Sequence, residues 1–141
     1  MGLIVVDASV AVKWVIEEPD SALAAQLLGS AEPMVAPELL RTEGAGAVTR
    51  AFRSGRLTRE AAEASLELWL NAFRSVVELV PNEHHLRRAA ELSCDLRHPL
   101  ADCLYLALAE RLGATLLTAD ITFARRASAS FPQIRLLNAD A

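Results

Sequence analysis

The stretch His98–Asp120, HPLADCLYLALAERLGATLLTAD, decides the fold. Pro99 is placed to start a helix, Gly113 fits that helix's C-terminal end, and ATLLT behind it reads as a strand ending before Asp120. A helix that hands the chain to a buried strand is the repeating unit of a parallel sheet. The same helix poses a chemical problem. Asp102 shares a face with Tyr105, Leu106 and Ala109, and a carboxylate stripped of water without a partner costs several kcal/mol or takes up a proton instead.

Working outward, the same alternation recurs. LIVV, Leu3 to Val6, is a short continuous apolar run suited to a strand buried on both faces, and DASVAVKWVI after it opens with helix-capping residues. Pro19 and Asp20 introduce a helix through SALAAQLL, and PMVA is a weak second strand. A long helix is expected from Pro37 to about Ser54. SGRLT breaks it, and Ala62, Leu66, Trp69, Leu70 and Phe73 then recur at helical spacing, with Trp69 read as packing. VVELV, Val76 to Val80, reads as a third strand, followed by a helix from Asn82 to about Leu96 that His98 and Pro99 stop. IRLL near the end is the fifth strand. The expectation is an α/β fold, a mainly parallel five-stranded sheet flanked by helices on both faces, with sites beyond the carboxyl ends of the strands.

At 141 residues and 52% hydrophobic, the chain suits one domain, 1–141, with a continuous core and no disorder. No apolar run reaches the roughly 20 residues of a membrane helix, the opening lacks a basic n-region, and MGLIVV lacks a myristoylation signal. A soluble, cytoplasmic protein is expected. Cys94 and Cys103 form no CxxC pair and the three histidines have no zinc spacing, so both thiols are read as core residues. A net charge of -4 argues against a surface coated in positive charge, but leaves room for a metal-loaded acidic site beside a local arginine patch.

Four acids stand out. Asp7 and Asp120 each follow an apolar strand, where each could simply cap the next helix. On a helical wheel Glu43 falls between Leu39 and Leu40, near Ala47, on the apolar side. Gly44 and Gly46 are each unfavourable inside a helix by about 1 kcal/mol, which hints at a close approach of backbone or ligand. Asp102 could instead be neutralised by a buried arginine. If the four converge, carboxylates that close cannot all stay ionised without a cation, and oxygen-only ligands suit Mg2+ or Mn2+ rather than zinc.

IVVDASVAVKW, APELLRTEGAGAV, HPLADCLYLALAERLGATLLTAD and the terminal strand, in this order and spacing, resemble PIN-domain ribonucleases of the VapC toxin type. The resemblance spans nearly the whole chain and is most specific around Asp102. It places the family's acids on Asp7, with Ser9 beside it, Glu43, Asp102 and Asp120, and matches Thr118 to a hydroxyl often found just before the last. One departure is Gly46, where the family commonly has Asn, which bears on substrate positioning more than on metal binding. The resemblance implies a PIN-like three-layer fold. It also implies a Mg2+- or Mn2+-dependent endoribonuclease acting on RNA such as tRNA or rRNA, a VapB-like antitoxin partner and a homodimer. Asp7, Asp102 and Asp120 would hold metal that activates a water, Glu43 would complete the cage or orient that water, and Ser9 and Thr118 would support the acids from behind.

RNA must also be held by its phosphates. Arg50, Arg53, Arg56 and Arg59 recur every three residues and form a candidate basic rim, the alternative being surface pairing with Glu60 and Glu63. Trp14 is read as core or dimer packing, with antitoxin contact as the lesser reading. Three rivals remain. A phospho-acceptor receiver domain would need a lysine late in the chain, and Lys13 is the only lysine. A non-catalytic α/β binding module would use its acids only as caps. An RNA-processing PIN nuclease would act without an antitoxin.

Overall fold

The computed structural model of the chain describes residues 2–72 and 75–138. Among these, five strands form one sheet: β1 (Ile4–Val6), β2 (Met34–Pro37), β3 (Val77–Val80), β4 (Thr115–Thr118) and β5 (Ile134–Leu136). Their order is β3-β2-β1-β4-β5 and every pairing is parallel, with Val5 opposite Val35 on one side and Leu116 on the other. β1 and β2 are buried at every residue, which is why they read as unbroken apolar runs rather than as alternating ones.

The chain steps from β1 outward to β3, then returns to the other side of β1 for β4 and β5. Because right-handed crossovers place the helices of opposite steps on opposite faces, this reversal makes a three-layer α/β/α stack. It also makes a switch point, the crevice between the carboxyl ends of β1 and β4.

The helices follow the sequence pattern with informative departures. After β1 the helix α1 (Ala8–Ala11) lasts one turn and tightens into a 3-10 turn, Val12–Trp14, shorter than DASVAVKWVI suggests. The β-branched Val10, Val12, Val15 and Ile16 are poor helix formers and pack inward instead. Helix α2 (Ser21–Gln26) precedes β2, and α3 (Leu39–Arg53) is the expected long helix. Helix α4 (Arg59–Ala72) carries Trp69, which is fully buried and donates its indole N–H to the Arg41 carbonyl. Phe73, expected on the same stripe, lies outside the described residues.

Gly44 explains the α3–α4 contact, since a Cβ there would overlap the Trp69 indole. The close approach foreseen at Gly44 is thus a tryptophan ring. At Gly46 there is no such pressure, as a Cβ would come no nearer than 3.8 Å to Arg50 Nη1.

The segment after β3 opens as a 3-10 turn, Asn82–His85, and becomes α5 only at Leu86–Leu96. Helix α6 (Leu100–Leu112) is the central helix, buried continuously from Cys103 to Ala109 and ended by Gly113 at φ +63°. Helix α7 (Ile121–Ala127) leads to β5. Cys103 is buried as expected, whereas Cys94 is exposed because it sits on the outer face of α5, so the reading of both thiols as core holds for one only. Trp14 packs against the core and bonds the Ala24 carbonyl. Among the described residues no helix is long and apolar enough to cross a membrane.

Candidate active site

The switch-point crevice is a cavity of about 320 Å³ lined by Asp7, Ser9, Glu43, Asp102 and Asp120, with Gly46 and Arg50 at its side. Asp7 ends β1 and Asp120 ends β4, while Glu43 projects from the middle of α3 and Asp102 from the first turn of α6.

Asp7 is the most buried of the four, at 4% exposure. It makes no side-chain cap to α1. Its Oδ2 accepts from the Ser9 hydroxyl at 2.6 Å and the Thr118 hydroxyl at 2.8 Å. Both hydroxyls are fixed from behind, since Ser9 Oγ accepts from the Ala119 N–H and Thr118 Oγ1 from the Asp120 N–H. Burial pushes the Asp7 carboxyl up to about 6 despite those hydroxyl donors, with repulsion from Asp102 adding to the rise.

Glu43 is held by the buried Tyr105, whose phenol donates to Oε1 at 2.6 Å. Its carboxyl is raised above the ordinary range by burial first, then by the charges of Asp7 and Asp102, and Arg50 counteracts in part. The phenol of Tyr105 is in turn pushed far up by burial and by Glu43, which keeps it protonated and donating.

Asp102 was expected to be the acid most in need of a partner. It is a quarter exposed at its side chain and bonds His98, 2.6 Å from Oδ2 to Nε2, one helical turn earlier. No arginine pairs with it among the described residues. Asp120 does what a strand-end aspartate ordinarily does: its Oδ1 accepts from the Phe123 N–H at 3.0 Å and caps α7.

Among the described residues no three His, Cys, Asp or Glu side chains stand close enough together to hold a metal ion as placed. The donor chemistry nevertheless fits a hard divalent ion. The cavity's acidic lining is oxygen-only, and Asp7 and Glu43 are raised partly by the repulsion that a cation would cancel. Glu43, Asp102 and Asp120 each use one oxygen within the protein, leaving the other without a hydrogen bond to a described residue.

Arg50 lines the same cavity. Arg53 and Arg56 continue from it along an adjoining groove with Ser54. Arg56 lies 3.8 Å from Glu18, and Arg59 turns away to cover the Phe52 ring at 4.8 Å. Neither Glu60 nor Glu63 pairs with these arginines among the described residues, so the pairing foreseen as the alternative is not formed.

Two contacts to the cavity acids escaped the sequence reading, in which His98 served only as a helix boundary and Tyr105 only as a neighbour on the face of Asp102. The signal for both was spacing: His98 stands at i−4 from Asp102, and Tyr105 at i+3 on the same helix.

The sequence matches the PIN domain family over residues 4–129. Among curated proteins no sequence matches significantly. In three dimensions the chain is similar to a chain of the crystal structure of VapBC2 from Rickettsia felis bound to a DNA fragment from their promoter. That likeness has a TM-score of 0.62 at 19% sequence identity, and covers 95% of this chain and 96% of the other. Such a likeness bears on the fold, whereas the sequence match covers most of the chain and its four cavity acids. On that match, the chain belongs to the PIN-domain family, whose members are generally nucleases.

Proposed function

We propose that this chain is a Mg2+- or Mn2+-dependent endoribonuclease, the toxin of a VapBC-type toxin–antitoxin pair, acting in the cytoplasm. The observation that carries the reading is Asp7: a buried carboxylate at the switch point, raised to about 6, facing a cavity with three further acids. A purely structural aspartate at that position would cap α1, and Asp7 does not.

Asp7, Asp102 and Asp120 would hold the ion, with Glu43 completing the set. When bound, a divalent ion lowers the pKa of water and offsets charge on phosphate oxygens. The chain's own part is preorganisation. The Ser9 and Thr118 hydroxyls fix Asp7, and the Tyr105 phenol fixes one oxygen of Glu43, leaving the other to complete the ligand set or orient a water. Arg50 offers a phosphate contact inside the cavity, and Arg53 and Arg56 extend it along the groove. Gly46 lines the cavity beside Arg50 without the polar side chain that the family's usual Asn would add there.

The partner proposal, a VapB-like antitoxin, is supported by the fold shared with a chain of the VapBC2 complex. A homodimer and a tRNA or rRNA substrate follow from the family alone. The test is cleavage of total tRNA and rRNA in Mg2+, Mn2+ or EDTA by the parent chain and Asp7→Ala. Metal-dependent cleavage by the parent, reduced at least ~1,000-fold in the variant, is expected. Cleavage that survives EDTA, or is equal in both proteins, contradicts the proposal. Growth arrest on expression, relieved by a co-expressed antitoxin, tests the toxin assignment separately.

A further inference from the structure

Behind Asp102, away from the cavity, a second set of contacts converges on His98. Its imidazole is buried, at 4% side-chain exposure, in the short link between α5 and α6. The backbone there is pinned from both sides: the His98 N–H donates to the Ser93 carbonyl and the Ser93 hydroxyl donates to the His98 carbonyl at 2.6 Å. The ring stacks on Phe123 of α7, with centroids 4.9 Å apart and planes 11° from parallel.

Arg126, also on α7, places Nη1 3.3 Å from His98 Nδ1 and bonds the Arg97 carbonyl as well. A guanidinium has only N–H donors, so Nδ1 must be the acceptor. Nε2 therefore carries the proton and donates it to Asp102 Oδ2. The ring's position, plane and tautomer are all set by groups outside the cavity.

Helix α7 holds the other acid too. Asp120 caps it by accepting from the N–H of Phe123, the residue whose ring supports His98. One short helix thus reaches Asp120 directly and Asp102 through His98.

We propose that His98 is a positioning residue for Asp102, aligned by Arg126 and Phe123, so that α7 sets the placement of Asp102 against Asp120 for the divalent ion. This rests on the metal-dependent reading above. Partners that orient a metal ligand through its second atom commonly govern affinity by ~10- to 100-fold.

The experiment is Mn2+ affinity of the full chain, measured by the electron paramagnetic resonance of free Mn2+, for the parent, His98→Asn, His98→Gln and Arg126→Met. Glutamine places an N–H near the position of Nε2, whereas asparagine keeps polarity but falls short of Asp102. His98→Asn should bind Mn2+ ~10- to 100-fold more weakly, with His98→Gln within about threefold of the parent. A folded His98→Asn that binds like the parent, or a folded His98→Gln that fails like it, overturns the proposal. If His98→Asn does not fold, Arg126→Met decides: affinity weakened by about threefold or more supports the role, and unchanged affinity overturns it. A parent that binds Mn2+ and cleaves RNA alongside unaffected variants sinks this proposal alone. A parent that binds no Mn2+ sinks it together with the metal-dependent reading.

Discussion

Asp7 and Asp120 occupy equivalent places, each one or two residues beyond a central parallel strand and just before a helix, yet they are held in opposite ways. Asp120 is half-buried and caps α7 through the Phe123 N–H. Asp7 is almost wholly buried, its carboxylate makes no side-chain cap to α1, and it leans on two hydroxyls. One aspartate serves its own helix, and the other is a carboxylate whose charged form is disfavoured by its burial. The difference teaches where to look for function in such a sheet: at the strand-end acid whose local structural use is missing.

The largest effect that could break this comparison is on stability without metal. The Asp7 carboxyl titrates near 3.8 when unfolded and near 6 when folded. Between those values the folded chain keeps a proton that the unfolded chain has released. Protonation therefore stabilises the fold fully below about pH 3.8, and that support is lost as pH rises past about 6. The shift corresponds to about 3 kcal/mol at neutral pH. Asp7→Asn, which can still accept from Ser9 and Thr118, should be more stable than the parent in EDTA at pH 7.5 by up to that amount, with the gap closing by pH 4. Urea denaturation across this range checks it, and equal stability at pH 7.5 would place no burden on Asp7.

Thr118 joins the two aspartates, donating to Asp7 and accepting from the Asp120 amide. Thr118→Val removes both bonds from a fully buried position and should destabilise the metal-free chain by about 2 kcal/mol. Smallest is the cap itself. Asp120→Ala should lose about 1 kcal/mol in EDTA while Asp120→Asn, an equally good cap, loses only a few tenths. A chain indifferent to both changes would remove the structural half of the contrast.

Much of this was legible in the chain because short apolar runs ending in an acid are an unusual combination. LIVV before Asp7 and ATLLT before Asp120 gave the two central strands and their terminal carboxylates together. Depth was harder to read. A helical wheel gives the direction of Asp102 but not its height, and a first-turn residue on a central helix lies at the rim, where its side chain keeps a quarter of its exposure. The acid that seemed to need most compensation is thus less buried than Asp7. Partners from distant elements were not legible at all: Arg126 meets His98 across 28 residues only because α7 packs beside the α5–α6 link. Helix lengths failed where side-chain shape overrode pattern, as in the one-turn α1 with its inward valines.

The central claim is that Asp7 is kept as a buried charge for a divalent ion, and thermal unfolding at pH 7.5 with increasing Mn2+ tests it most directly. Asp7→Asn serves as the paired chain. At a hundredfold excess over the dissociation constant the parent should gain about 2.7 kcal/mol, seen as a rise of several degrees, while Asp7→Asn gains little. A parent whose midpoint ignores millimolar Mn2+, or a variant that rises with it equally, would contradict the claim.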